Sequence, residues 1–307
     1  MATIHTERVW ELALEKWAEI QARFPDLAPA ATVQKAMLRL LIDARATLEG
    51  SATALPDVAP AAILAKWQRG LPALRSETIF IPDSLKDLLP ALCDVLAAGG
   101  AGDSASHIRD ALAGHEIDAG SLLRVSLARN RKAIRTSSLH HGFSPDLVWL
   151  IGELASSPLA NYCQHYLLAP PGVHDALPTW NRGYCPCCGS WPALIEVIAG
   201  QSYVLRCSYC AGTWELAARR CVYCGNGDER FVVAISETDS TGPRLELCGA
   251  CGGYTKLVDA ASATPFPLIA IEDLATMELD EQAMTRGYRR PDLFDLDTID
   301  PPVSGCG

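Results

Sequence analysis

Apolar residues recur at helical spacing through roughly the first 180 positions and then give way to short β-branched runs, so the chain divides by pattern before any chemistry is considered. Trp10, Leu14, Trp17, Ile20 and Phe24 form one stripe, and Val33, Met37, Leu40, Ala44 and Leu48 form the next. Each predicts an amphipathic helix with its apolar face on a core. Further helices are predicted over 83–98, 107–112, 119–127 and 145–166. Ser144 before Pro145 is a start signal, because proline at the first helical position lacks only an amide hydrogen that no helix would use there. Pro90 is expected to kink or split its helix, and Gly99-Gly100 to end it.

Ala169-Pro170-Pro171-Gly172 breaks the helical pattern and opens a stretch, through Pro178, with the composition of a linker. Beyond it lie strand-length pieces bounded by glycine: Leu194–Ile198, Tyr203–Leu205, Phe231–Ile235, Leu245–Leu247 and Tyr254–Val258. After Pro265 and Pro267 a helix-compatible segment runs from Glu272 to Arg286 and is expected to pack back on the protein. The reading is an α+β chain in three parts. Residues 1–180 form an all-helical domain with its linker, 181–262 a tandem of small β domains (181–219 and 220–262), and 263–307 a tail.

Composition narrows the class. Hydrophobic residues make up 49% of the chain, enough for buried cores and against disorder. A formal charge of -10 would repel phosphate backbones and anionic lipid surfaces. The N-terminus carries His5, Glu7 and Glu11 in place of a basic stretch and an apolar run, and the most apolar segments, 85–98 and 147–159, are short or carry Asp94 and Glu153. These features predict a cytoplasmic protein without membrane insertion. In that reducing setting the twelve cysteines point to metal rather than to a disulfide framework.

Eight cysteines form four C-x-x-C pairs: Cys185 with Cys188, Cys207 with Cys210, Cys221 with Cys224, and Cys248 with Cys251. One such turn aims two thiolates at a point, so two turns supply the tetrahedral sulfur shell that suits Zn²⁺ or a single iron. Eighteen residues lie between Cys188 and Cys207 and twenty-three between Cys224 and Cys248, room for a β-hairpin in each case, whereas ten between Cys210 and Cys221 suit a connector. Cys185, Cys188, Cys207 and Cys210 are therefore assigned to site one, and Cys221, Cys224, Cys248 and Cys251 to site two. Gly189, Gly225 and Gly252 follow three of the knuckles and let amide groups approach the sulfurs. Pro186 stiffens the first turn in the manner of a rubredoxin knuckle.

The plainer role for both centres is to staple a thin core, since bound metal supplies folding free energy on the order of 10 kcal/mol. The sharper alternative is a redox-active or metal-sensing iron. All seven histidines, His5, His107, His115, His140, His141, His165 and His174, precede the first knuckle, so a mixed-ligand hydrolytic zinc site is not expected and no catalytic residue is assigned. Cys187 is read as a bystander thiol, Cys93 and Cys163 as core residues, and Cys306 as a terminal thiol. A third metal site at His140-His141 or at Cys163 and His165 matches no standard spacing. The basic run Arg124, Arg129, Arg131, Lys132 and Arg135 is read as a solvated face. Tyr184, Trp191, Tyr209, Trp214 and Tyr223 are expected to shield the sulfurs.

The stretches Cys185-Pro186-Cys187-Cys188-Gly189-Ser190, Leu205-Arg206-Cys207-Ser208-Tyr209-Cys210 with Trp214-Glu215, Cys221-Val222-Tyr223-Cys224, and Cys248-Gly249-Ala250-Cys251 with Tyr254-Thr255-Lys256 resemble the formate dehydrogenase accessory protein family FdhE. The tail from Glu272 to Tyr288 is similar as well, so the likeness covers roughly the last 120 residues. Cys187 and Trp191 depart from the family pattern. The resemblance implies a cytoplasmic assembly factor, without turnover of its own, that binds the catalytic subunit of formate dehydrogenase and holds two metal ions in rubredoxin-like four-cysteine sites. It favours iron and leaves zinc open; homo-oligomerisation also stays open. The other readings are a rubredoxin-like electron-transfer or redox protein and a ribbon-type nucleic-acid binder. For the last the basic footprint is missing, with seven Lys and Arg against eight Asp and Glu from Asn181 to Ala260.

Overall fold

The computed structural model describes residues 2–51, 58–74, 79–198, 202–234 and 242–291, so Cys306 and Ile235 lie outside the described residues. Two compact units are built within Met1–Asp57, Leu74–Tyr166 and Phe266–Ile271 for the first, and Val58–Ala73, Leu167–Pro265 and Glu272–Gly307 for the second. Among the described residues no helix is long and apolar enough to cross a membrane.

The helices run, in chain order, α1 (Ala2–Arg23), α2 (Ala28–Gly50), α3 (Pro60–Gln68), α4 (Asp83–Leu96), α5 (Gly102–Ala113), α6 (Ala119–Leu127), α7 (Arg131–His140) and α8 (Pro145–Leu167). All but α3 belong to the first unit, apart from the last residue of α8. The stripes of α1 and α2 are rotated from the expected ones. Val9, Ala13, Trp17 and Ile20 are buried while Leu14 is exposed, and on α2 the buried set is Ala31, Met37, Leu38, Leu41, Ile42 and Leu48. Both helices carry more apolar residues than one face needs, so spacing alone leaves the facing direction open by a residue. Val33 is half-buried and fills the space beside Gly99, where a side-chain carbon would come within 2.5 Å of it.

Pro90 does not split α4, which runs through it to Leu96. The stripe Leu85, Leu88, Leu89, Leu92 and Cys93 is buried on either side, and that burial outweighs one lost helical bond, a cost of about 3 kcal/mol. The helix ends where the glycines predict, in a π-helical turn over Ala97–Ala101 with Gly100 at φ 110°. The basic run is not one solvated face. Arg129, at φ 57°, separates α6 from α7 and turns inward to pair with Glu153 at 2.6 Å over the ring of Trp149. Arg131 pairs with Asp146, while Arg124, Lys132 and Arg135 are exposed. Cys93 and Cys163 are buried.

In the second unit the expected linker holds a short helix, α9 (Pro171–His174), and a 3-10 turn over Leu177–Thr179, which lead into the fully buried Trp180. Six strands follow: β1 (Pro192–Ile198), β2 (Ser202–Cys207), β3 (Thr213–Trp214), β4 (Phe231–Ala234), β5 (Arg244–Cys248) and β6 (Gly253–Ala260). They form one sheet in the order β3-β2-β1-β6-β5-β4. Each half is an antiparallel three-stranded ribbon, and parallel pairing of β1 with β6, Ile195 opposite Leu257, fuses the two. The helical segment expected after the prolines is broken at Thr276 into α10 (Ile269–Ala275) and α11 (Met277–Thr285). Leu279 and Ala283 of α11 join Leu245, Leu247 and Tyr254 in a small core.

Charged groups are buried in this sheet, and each has partners. Glu196 and Arg206 pair at 3.1 Å; Glu196 also accepts from the Thr264 amide, and Arg206 donates to the carbonyls of Ala211 and Thr264. Lys256, with no exposed surface, reaches Asp273 and Asp280 at 2.8 Å each, and Arg290 binds the same two carboxylates. Burial raises the Asp273 pKa, but Arg290 and Lys256 outweigh it and hold the carboxyl below its usual range. A depressed carboxyl stabilises the fold above its unfolded value of 3.8 and ceases to do so as pH falls through the lower folded one. Lys256→Met leaves two partly buried carboxylates sharing one arginine, so a loss of about 3 kcal/mol is expected in denaturant melts at neutral pH. The difference from the parent should shrink as pH falls through the depressed Asp273 value, below 3.8, where that carboxylate loses its charge.

Candidate metal centres

Both quartets use one construction. The first knuckle of each precedes the first strand of its ribbon and the second follows the next strand, so the β1–β2 hairpin carries Cys207 to Cys185 and Cys188, and the β4–β5 hairpin carries Cys248 to Cys221 and Cys224. In each knuckle the residue after the second cysteine is left-handed. Gly189, Gly225 and Gly252, at φ 80°, 75° and 70°, return their amides to the carbonyls of Cys185, Cys221 and Cys248. The remaining knuckle, Cys207 with Cys210, places Ala211 there, at φ 54°, a conformation that glycine adopts without the steric cost alanine bears.

The structure gathers the eight cysteines into the groups 185, 188, 207, 210 and 221, 224, 248, 251, all sulfurs of a group within 4.8 Å of one another. Sulfurs stand 3.6 Å apart for Cys185–Cys210 and 3.4 Å for Cys188–Cys207 in site one, and 3.7 Å for both Cys221–Cys251 and Cys224–Cys248 in site two. A disulfide would require about 2.05 Å. Four sulfurs about 2.3 Å from a central ion stand roughly 3.8 Å apart, so the donor set and its spacing fit a thiophilic ion such as zinc or iron. Among the described residues no other group of three or more histidine, cysteine or acidic side chains converges in this way; His140 and His141 merely stack edge to face, their rings 5.0 Å apart.

Amide groups and neighbouring thiols prepare the sulfurs for negative charge. Tyr209 and Cys210 each donate a backbone N–H to the Cys207 sulfur at 3.4 Å, and the amides of Ala250 and Cys251 do the same for Cys248. Burial pushes the Cys185 thiol well above its ordinary value, whereas Cys188, despite burial, is held well below by hydrogen bonds from the other three sulfurs. Four crowded thiols cannot all ionise without a cation among them.

The two sites differ in cover. All four cysteines of site one are buried, whereas Cys224 and Cys251 of site two are exposed. Site one is roofed by α3 and the turn after it. Trp67 donates its indole N–H to the Pro186 carbonyl at 3.0 Å, the Ala73 amide bonds to that carbonyl at 2.9 Å, and the Tyr184 hydroxyl donates to the Gly70 carbonyl at 2.8 Å. Cys187 is buried beneath this roof, with its thiol against Cys210 and outside the quartet. A series of tilted and edge-to-face rings, Trp67, Trp180, Tyr184, Trp191 and Tyr223, leads from α3 to the knuckle of site two. Sequence reasoning found the last three of these and missed Trp67 and Trp180, which carry no signal of proximity to cysteine.

Comparison with known proteins agrees with the resemblance drawn from the residues. No protein-family model matches the chain. It is similar to a protein FdhE homolog of Shewanella baltica, 32% identical over 112 residues, or 35% of this chain and 36% of the relative. FdhE homologs of Aquifex aeolicus (28% over 116 residues, 36% and 40%) and Pectobacterium atrosepticum (31% over 137 residues, 42% and 44%) are similar in the same way. The matched stretch thus spans less than half the length of these relatives. The crystal structure of the FdhE protein from Pseudomonas aeruginosa shares the fold, with a TM-score of 0.56 over 94% of this chain and 92% of that one at 20% identity.

Proposed function

We propose that this chain is an accessory factor in the assembly of formate dehydrogenase, acting in the cytoplasm by binding the catalytic subunit, with no turnover of its own. The observation that carries the reading is the pair of four-sulfur quartets on one fused sheet, in a chain similar to FdhE proteins in sequence and in fold. Each quartet would hold one metal ion. An ion there would cross-link two knuckles; the amides steady the knuckles, and the buried Glu196–Arg206 pair spans the β1–β2 hairpin that presents those of site one. Shells made of thiolates alone keep no position for a water nucleophile, which supports a structural and recognition role over hydrolysis.

The test is capture of the formate dehydrogenase catalytic subunit by tagged protein purified without oxygen and loaded with metal. Retention of the subunit, and loss of formate oxidation on deletion while subunit synthesis continues, are the expected results. If loaded protein ignores the subunit, the assembly reading is wrong. The exposed sulfurs of site two favour a second reading, an electron carrier, which requires a reversible one-electron titration of the iron-loaded chain.

A further inference from the structure

The difference in cover between the two quartets assigns them different work. We infer that site two is an exchange site, opening at Cys251 to an anionic thiol ligand, while site one keeps its ion. The inference rests on the reading that both quartets hold metal.

Cys251 is exposed and lies on the wall of a cleft of about 710 Å³, together with Trp191, Tyr223, Ser208, Arg289 and Arg290. Two aromatic rings, 5.2 Å apart and edge to face, supply an apolar wall, and two arginines supply positive charge at the same place. Arg290 is engaged by Asp273 and Asp280, so Arg289, exposed on the cleft wall, is the charge that an incoming anion meets. Its position is fixed by the backbone, since the Arg289 amide donates to the Gly252 carbonyl at 2.8 Å and residue 289 bridges to Gly253. The strap of residues 288–290 therefore holds a cation one residue from a ligand sulfur.

A four-thiolate shell around a divalent ion carries formal charge of about -2 and repels anions unless cations stand beside it. Arg289 offsets that repulsion, and the cleft gives a small thiol the room to approach that the roof over site one denies. In the exchange, the incoming thiol gives up its proton and its sulfur replaces that of Cys251. The departing Cys251 thiolate takes the proton, so one metal–sulfur bond breaks, one forms, and no electron changes hands. Site one can exchange only after α3 and its turn lift from Pro186.

The experiment loads the full chain with zinc, confirms the stoichiometry by native mass spectrometry, and follows metal loss to an anionic dithiol, dimercaptosuccinate, and to a neutral one, dithiothreitol. One equivalent should leave at least about tenfold faster than the other, because loss from site one waits on local opening. Alkylation mapping should show Cys224 and Cys251 modified in that first phase. Arg289→Glu, a change at an exposed position, should slow the first phase for dimercaptosuccinate several-fold and leave the dithiothreitol rates and the second phase unchanged. Loss of both equivalents in one phase, first alkylation at site one, or equal slowing with both dithiols overturns the inference alone. Binding of fewer than two equivalents overturns the metal reading and the inference with it.

Discussion

Cys207→Ser is expected to abolish metal binding at site one and to cost the sheet unit more stability than any other change at a single sulfur. Cys207 is fully buried, lies 3.4 Å from Cys188, and accepts two backbone amides. A serine oxygen is a poorer ligand for a thiophilic ion and does not reach as far, and once the ion is lost three buried thiols remain with no cation among them. Structural zinc contributes on the order of 10 kcal/mol to small domains, comparable to the whole net stability of about 5–15 kcal/mol typical of a domain. Metal per chain should fall from two equivalents to one, and the melting transition of the sheet should vanish or drop steeply. Cys224→Ser, at an exposed sulfur, should remove the other equivalent with a distinctly smaller shift in that transition. Equal shifts for the two variants would show that site one is no more a staple than site two.

Much of this site was legible in the sequence, because a C-x-x-C turn is a local device and the length between turns limits which can meet. The intervals of eighteen and twenty-three residues read correctly as hairpins, and both hairpins are antiparallel pairs in the sheet. What the intervals could not show was long-range. Pairing of β1 with β6 joins segments some sixty residues apart through backbone groups that carry no residue signature. Recruitment of residues 58–73 to the cysteine unit is equally silent, since α3 buries Ile63 and Trp67 as any amphipathic helix would. Ala211 was missed for a different reason. Glycine announces a left-handed position, and alanine in the same place does not, although the repeat of four knuckles could have pointed to it. The stripes of α1 and α2 failed by one residue because their apolar content is broader than the face they bury.

Gly183→Ala should be among the most damaging single-atom-scale changes available, although nothing in the sequence marks this glycine. Its backbone is not left-handed, so the requirement is one of space: a side-chain carbon there would overlap the carbonyl oxygen of Val222 and come within 2.5 Å of its carbonyl carbon. Gly183 stands two residues before Cys185, and Val222 lies between Cys221 and Tyr223 in the first knuckle of site two. The contact therefore joins the approach to one quartet directly to the backbone of the other, where neither side has a flexible side chain to move aside. Separating them pulls on the hydrogen bonds that flank the contact, Trp214 to the Arg182 carbonyl at 3.0 Å and Arg220 to the Asn181 carbonyl at 2.9 Å. Overpacking against side chains typically costs about 1–3 kcal/mol, and a clash with fixed backbone should exceed that range. The measurement is thermal unfolding beside Gly172→Ala, a position with open space and an ordinary backbone, which should be nearly neutral. If the two quartets share one rigid frame, Gly183→Ala also lowers metal retention at both sites together, whereas changes at either set of ligands act on one. A variant that melts with the parent and keeps both ions would mean that the ribbons can separate at this point without loss, and that the fused sheet alone holds the centres in register.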